Sequence, residues 1–179
     1  QLHGMTTMEE VERVFAADGA MDTLLKAREE GKVRYLGFSA HSQEAAVTLL
    51  ERFAFDSVLC PINFVCMTRG GFGPKIIEKA KAKGAARLAL KALAYTPWNK
   101  PEPEREYPKC WYQPITRLTL AERALRFTLS EDITAAIPPG DERLYELALD
   151  LAAGFAPLST EERRQLMAET EGLEPIFRG

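Results

Sequence analysis

The chain has 179 residues, of which 46% are hydrophobic and 27% are charged, and its formal net charge is −3. This composition predicts one globular domain with a sizeable core. The net charge indicates no basic surface for binding nucleic acid. The sequence contains no apolar run near the roughly 20 residues of a membrane span. Three cysteines suggest no disulfide framework, and two histidines without metal-site spacing predict no metal, so we expect a soluble, reduced protein of the cytoplasm.

Apolar residues at helical spacing predict helices over six ranges, which are 8–30 (interrupted near Asp18 and Gly19), 44–53, 74–83, 118–129, 143–153 and 160–169. The signals that mark helix starts are capping boxes at Thr7, Thr119 and Ser159, N-caps at Ser42 and Asp141, and a first-turn proline at Pro74. The helices are therefore well delimited by local sequence alone.

Short apolar runs lie between these helices and fit strands buried on both faces. They are residues 1–3, 33–38, 57–62, 87–93 and 134–137. Strands that alternate with helices imply a parallel sheet with right-handed crossovers. We therefore predict an α/β fold with about five βα units, with functional residues such as Ser39 at the carboxyl ends of the strands.

Residues 94–114 form a long segment that is rich in proline and contains Trp98, Trp111 and Tyr112. Such a length is unusual for a βα connection. The segment is either an ordered functional loop or a disordered excursion, and order is favoured at its aromatic end. We assign residues 1–172 to the domain and residues 173–179 to a tail.

Several motifs occur in an order that matches one known family. GKVRYLGFSAHS is the most specific of them, and DSVLCPINF, LALKAL, ALRFTLSEDITAAIPPG and FAPLSTEE follow it. In this order they resemble the aldo-keto reductases, (β/α)8 barrels that reduce carbonyl compounds with NADPH. The resemblance covers nearly the whole chain and implies the C-terminal part of a (β/α)8 TIM barrel.

The resemblance implies roles for residues at the strand ends. His3 would orient a substrate carbonyl, and Ser39 would hydrogen-bond the nicotinamide carboxamide of NADP. Asn63 would either line the pocket or satisfy loop backbone groups, and His41 would lie near the pocket or cap its loop. Lys91 would face cofactor phosphate or substrate.

A phosphate site is implied where Gly140 and Arg143 flank the start of a helix, since backbone N–H groups there attract anions. The adjacent Asp141 and Glu142 oppose this assignment by their charge. The cofactor-binding set is therefore Ser39, Asn63, Lys91, Gly140 and Arg143, with His3 as the catalytic residue.

The catalytic Asp, Tyr and Lys of the family have no counterpart in these residues. Little or no reductase activity is therefore expected of this chain by itself, since proton transfer from a positioned side chain is worth roughly 100-fold to 10,000-fold in rate. The alternative is a non-catalytic partial barrel that binds a small molecule or a partner. Open edges at residues 1–3 and 134–137 would favour self-association.

Overall fold

The computed structural model describes residues 1–98 and 105–179. Its strands are β1 (Leu2–Met5), β2 (Gly37–Ala40), β3 (Ser57–Pro61), β4 (Ala86–Leu90), β5 (Ala94–Pro97), β6 (Tyr112–Pro114) and β7 (Ala135–Ala136). Five of them form one parallel sheet in the order β1-β2-β3-β4-β7. This is the predicted α/β arrangement, with the strands in chain order across the sheet.

The helices are α1 (Met8–Phe15), α2 (Ala20–Glu29), α3 (Gln43–Arg52), α4 (Phe64–Gly70), α5 (Pro74–Ala82), α6 (Leu118–Leu129), α7 (Glu142–Ala153) and α8 (Thr160–Ala168). The interruption between α1 and α2 is confirmed, as are the capping boxes at Thr7 and Ser159. The predicted capping box at Thr119 is wrong, because α6 already begins at Leu118 and its N-cap, Arg117, makes no side-chain cap. Sequence patterns did not predict α4, which has only seven residues.

Strand β2 starts later than the predicted range of 33–38. Val33 and Tyr35 precede it and are exposed, and Tyr35 keeps 72% of its surface accessible. Pairing with β3 begins at Gly37, opposite Ser57. An added Cβ at Gly37 would overlap the Ser57 side chain, so glycine permits the close approach of the two strands.

The largest apolar cluster lies between the sheet and the helices α1, α3 and α5. Phe38, Val58 and Ala89, one from each central strand, are fully buried there. A second cluster joins α4 to α6 and α8 and is linked to the sheet by the buried Thr128 hydroxyl, which donates to the Ile62 carbonyl at 3.0 Å. Among the described helices, none is both long and apolar enough to cross a membrane.

The aromatic end of the segment 94–114 is ordered, as predicted. Strands β5 and β6 pair there as an antiparallel ladder. The Trp98 indole N–H donates to the Cys110 carbonyl at 3.1 Å and ties the two ends of the segment together. The remainder of this prediction, at residues 99–104, lies outside the described residues.

Candidate functional site

His3 and Ser39 come together because β1 and β2 are neighbours in the sheet. The Ser39 side chain is buried, and its Oγ lies 3.5 Å from His3 Nδ1. The same oxygen accepts a hydrogen bond from the Gly4 N–H at 2.7 Å. The hydroxyl proton is therefore still available for donation, either to His3 or to a bound group.

Asn63 follows β3 and is completely buried. Its Oδ1 accepts a hydrogen bond from the Cys66 N–H at 2.9 Å. The residue is therefore the N-cap of α4, and its side chain satisfies a backbone N–H group of that helix. Its Nδ2 has no hydrogen-bond partner among the described residues. A buried donor without a partner is costly, and because Asn63 is completely buried, a ligand could reach it only if the surrounding side chains moved.

Lys91 lies directly after β4 and has a positive φ of 64°, a conformation uncommon for a residue with a side chain. Its half-buried ammonium lies 5.7 Å from the ring centre of Trp111 and 5.6 Å from that of Phe177. Burial lowers the pKa of Lys91, and the neighbouring Cys66 and Cys60 oppose this shift. The strand end thus holds a cationic group between two aromatic rings.

Phe177 belongs to the segment predicted as a tail, yet its ring packs at the site. It stacks on His41, with ring centres 4.9 Å apart, and also contacts Phe72 and Trp111. Sequence reasoning gave this residue no role. The signal that could have found it is the apolar pair Ile176-Phe177 in an otherwise polar stretch.

The segment reaches this position across the end of α4. The Gly179 N–H donates to the Gly70 carbonyl at 2.9 Å. A Cβ at Gly70 would overlap the Phe177 carbonyl oxygen, so glycine is required for this contact.

The predicted phosphate site at Gly140 and Arg143 is already occupied by protein groups. The Asp141 carboxylate accepts from the Arg143 N–H at 3.2 Å and from its Nε at 3.3 Å. Its hydrogen bonds with the Arg143 side chain lower the pKa of Asp141. Arg143 also donates to the Glu106 carbonyl and lies 4.2 Å from the Tyr107 ring centre.

A nicotinamide dinucleotide therefore fits these residues only at its nicotinamide end. There the Ser39 hydroxyl could serve the carboxamide, whereas Asn63 is completely buried and presents no group to a ligand. At the phosphate end of the cofactor, the Asp141 carboxylate lies where an anion would have to bind, and the Arg143 guanidinium is already paired with it. The residues present do not fit a 2′-phosphate.

Burial opposes the ionisation of the two thiols beside the site. Burial raises the pKa of Cys60 to about 12 and also raises the pKa of Cys66. Both are free and buried, and a thiol that stays protonated is a poor nucleophile. Their contribution here is packing around Lys91.

Comparisons with known proteins bear on the fold. No protein-family model matches the chain, and no curated protein does. Among solved structures, the apo form of aldo-keto reductase AKR11C1 from Bacillus halodurans is similar, with a TM-score of 0.56 and 20% identity, over 95% of this chain and 60% of that one. The holo form of that enzyme is also similar, with a TM-score of 0.54 and 19% identity, over 86% of this chain and 55% of that one.

The chain therefore spans little more than half the length of the solved structures that it matches. At this level of identity the similarity concerns the fold. The predicted fold class is confirmed: the chain has the fold of part of the (β/α)8 barrel seen in these solved structures.

Proposed function

We propose that this chain is part of an oxidoreductase that reduces a small carbonyl compound with a nicotinamide dinucleotide. The supporting observation is the pairing of the His3 imidazole with the Ser39 hydroxyl at adjacent strands of an aldo-keto reductase fold. In this proposal His3 hydrogen-bonds the carbonyl oxygen of the substrate, while Ser39 hydrogen-bonds the carboxamide. The bound cofactor would supply the hydride.

We also propose that residues 1–179 alone have low carbonyl reductase activity. The family resemblance assigns proton donation to a tyrosine helped by a lysine and an aspartate, and none of these three has a counterpart in the sequence given. A missing proton donor costs roughly 100-fold to 10,000-fold in rate. The site would therefore bind its ligands without turning them over efficiently.

We expect saturable binding of NADH and NADPH with similar affinity and no measurable carbonyl reduction. Similar affinity follows because Asp141 and the engaged Arg143 offer nothing to a 2′-phosphate. The measurement is a titration of each cofactor into the purified chain, followed by nicotinamide fluorescence, with a carbonyl screen on the same preparation.

Ser39→Ala should weaken cofactor binding, because it removes the hydroxyl beside His3. Ser57→Ala is the matched control, since Ser57 lies at the opposite, amino end of the neighbouring strand. A clear preference for NADPH would contradict the interpretation that Arg143 is engaged by Asp141 and unavailable to a 2′-phosphate. Absence of binding at millimolar cofactor would contradict the oxidoreductase proposal.

A non-catalytic partial barrel is the second candidate, and one observation favours it. The Phe177 ring lies over Lys91, where a ligand would otherwise be able to reach the strand end. In this case the site would be covered by the chain itself. Failure to bind either cofactor, together with normal folding, would support this candidate.

We also propose that two copies associate through the outer strands of the sheet. Within the described residues, β1 and β7 each pair on one side only, and an open strand edge is a template for pairing. Size-exclusion chromatography with light scattering should give twice the mass of one chain. A stable monomer at micromolar concentration would contradict the proposal.

A further inference from the structure

We propose that residues 174–179 form an autoinhibitory strap, which closes the site at the carboxyl ends of β2 and β4 and must leave before a ligand can enter. In the closed state the Phe177 ring fills a ring-sized slot that a ligand would otherwise use. The inference rests on the proposed function for the identity of that ligand, a nicotinamide dinucleotide, whereas the strap itself can be measured without any ligand.

Four side chains form the slot around Phe177. Its ring stacks on the His41 imidazole, with ring centres 4.9 Å apart and planes inclined by 21°. Phe72 packs against it at 5.6 Å, and Trp111 meets it edge to face at 5.8 Å, while the Lys91 ammonium lies 5.6 Å from its centre. All three ring distances are those of favourable aromatic pairs. The slot is therefore complementary to one planar ring, and the chain supplies that ring itself.

The slot lies at the edge of the sheet where parallel α/β folds bind their ligands. His41 comes just after β2, and Lys91 directly follows β4. The His41 N–H donates to the carbonyl of Met5, the last residue of β1, at 2.9 Å. Ser39, whose hydroxyl lies next to His3, belongs to the same strand β2. Ligand sites of such folds lie outside the carboxyl ends of the strands, so a ring seated here covers part of the approach to the candidate site.

The main chain of the strap is attached to the fold at one point. The strap belongs to no helix or strand, and within the part of the chain that the structure describes, a single backbone hydrogen bond joins it to the rest, from the Gly179 N–H to the Gly70 carbonyl at 2.9 Å. It leaves α8 through a turn in which Gly172 has a φ of 77° and the Leu173 N–H donates to the Thr170 carbonyl at 3.0 Å. A segment held in this way opens locally at a lower free energy than global unfolding requires.

Side-chain packing holds the strap closed. Ile176 is partly buried and packs against both the largest apolar cluster and a smaller one that contains Tyr112 of β6. The completely buried Cys66 thiol lies next to the backbone of Ile176 and Phe177, whose N–H groups offset part of the rise in its pKa that burial causes. The closed state is thus stabilised by packing rather than by main-chain pairing, so that removal of one ring should be enough to open it.

Closure of the strap lowers the apparent affinity of the site. When a ligand binds only to the open state, its apparent dissociation constant rises in inverse proportion to the fraction of molecules that are open. Replacing Phe177 with alanine removes the ring from the slot and leaves the rest of the strap in place. Because the closed state then loses its aromatic contacts, we expect the apparent dissociation constant for NADH to fall about tenfold or more.

The first measurement compares NADH binding by the unsubstituted chain, Phe177→Ala and Phe155→Ala, followed by nicotinamide fluorescence. Phe155 provides the matched control, because it is a phenylalanine that lies after α7 with 40% of its surface exposed and takes no part in the slot. We expect tighter binding by Phe177→Ala alone. If the unsubstituted chain binds NADH and Phe177→Ala binds it equally or more weakly, the strap is overturned and the proposed function stands.

A second measurement needs no ligand. Alkylation by iodoacetamide is followed at each cysteine by peptide mass mapping, because opening of the strap exposes the Cys66 thiol whereas Cys60 stays buried in β3. We expect Cys66 to be alkylated about tenfold faster or more in Phe177→Ala than in the unsubstituted chain, with Cys60 unchanged. An unchanged rate at Cys66 would overturn the strap, and so would an equal rise at both cysteines, which indicates a general loss of structure.

Gly70→Ala opens the strap by another route and decides the question if Phe177→Ala does not fold. Its added Cβ would overlap the Phe177 carbonyl oxygen, so it should bind NADH more tightly and expose Cys66 in the same way. NADH added to the unsubstituted chain should speed hydrogen exchange at the Gly179 amide, whereas slower exchange would indicate a lid that closes over its ligand and would overturn autoinhibition. If no form of the chain binds either cofactor, the proposed function fails and the alkylation of Cys66 alone decides the strap.

Discussion

Replacing Phe38 with alanine is expected to lower the free energy of unfolding by about 3–5 kcal/mol. Phe38 lies in the central part of the sheet, is fully buried and meets Phe55 edge to face with ring centres 4.9 Å apart. The substitution removes the ring from the largest apolar cluster and leaves a cavity between the sheet and α3. Urea unfolding followed by circular dichroism measures the loss.

Tyr35→Ala is the matched control for Phe38→Ala, since Tyr35 is an aromatic residue three positions away with 72% of its surface exposed. We expect a change within about 0.5 kcal/mol. Equal losses for the two variants would contradict the strand boundary at Gly37. If Phe38→Ala is too unstable to purify, Phe38→Leu should still cost more than the Tyr35 control.

Replacing Gly70 with alanine is expected to displace residues 175–178 and to destabilise the fold by about 1–3 kcal/mol. The added Cβ would overlap the Phe177 carbonyl oxygen and approach Pro175 to 3.3 Å. Alanine is otherwise the better residue in a helix, so a loss of stability would come from this contact. Hydrogen exchange of the amides at 175–178 and the fluorescence of Trp111 report the displacement.

Gly154→Ala provides the comparison, because Gly154 is also a glycine at a helix end and an added Cβ there would meet nothing closer than 4.0 Å. It should leave exchange at 175–178 unchanged. If Gly70→Ala behaves in the same way, the packing of Phe177 against the site is wrong.

The helices could be predicted from the sequence because their signals are local. A side chain that caps its own first turn, such as Thr7, acts within four residues whatever surrounds it. The exception is instructive: Thr119 carries the same pattern, but α6 starts one residue before it. The neighbouring structure, rather than the local pattern, decided where that helix begins.

Part of the candidate site was also predictable. The expectation that functional residues follow the strands placed His3 and Ser39 at neighbouring strands, and the two side chains do meet. The pairing of Arg143 with Asp141 could not be read from spacing, because either side chain could equally have faced solvent or an anion. Short helix α4 gave too few residues for a periodic pattern.

The sequence by itself determined the α/β class, the order of the elements apart from α4, β5 and β6, and most helix ends, since these follow from periodicity and capping within a few residues. Only the tertiary structure decided what surrounds Lys91. Trp111 and Phe177 lie 20 and 86 positions further along the chain, and they reach Lys91 through the β5–β6 pair and the contact across Gly70. Such contacts depend on the packing of distant segments, which no local pattern encodes.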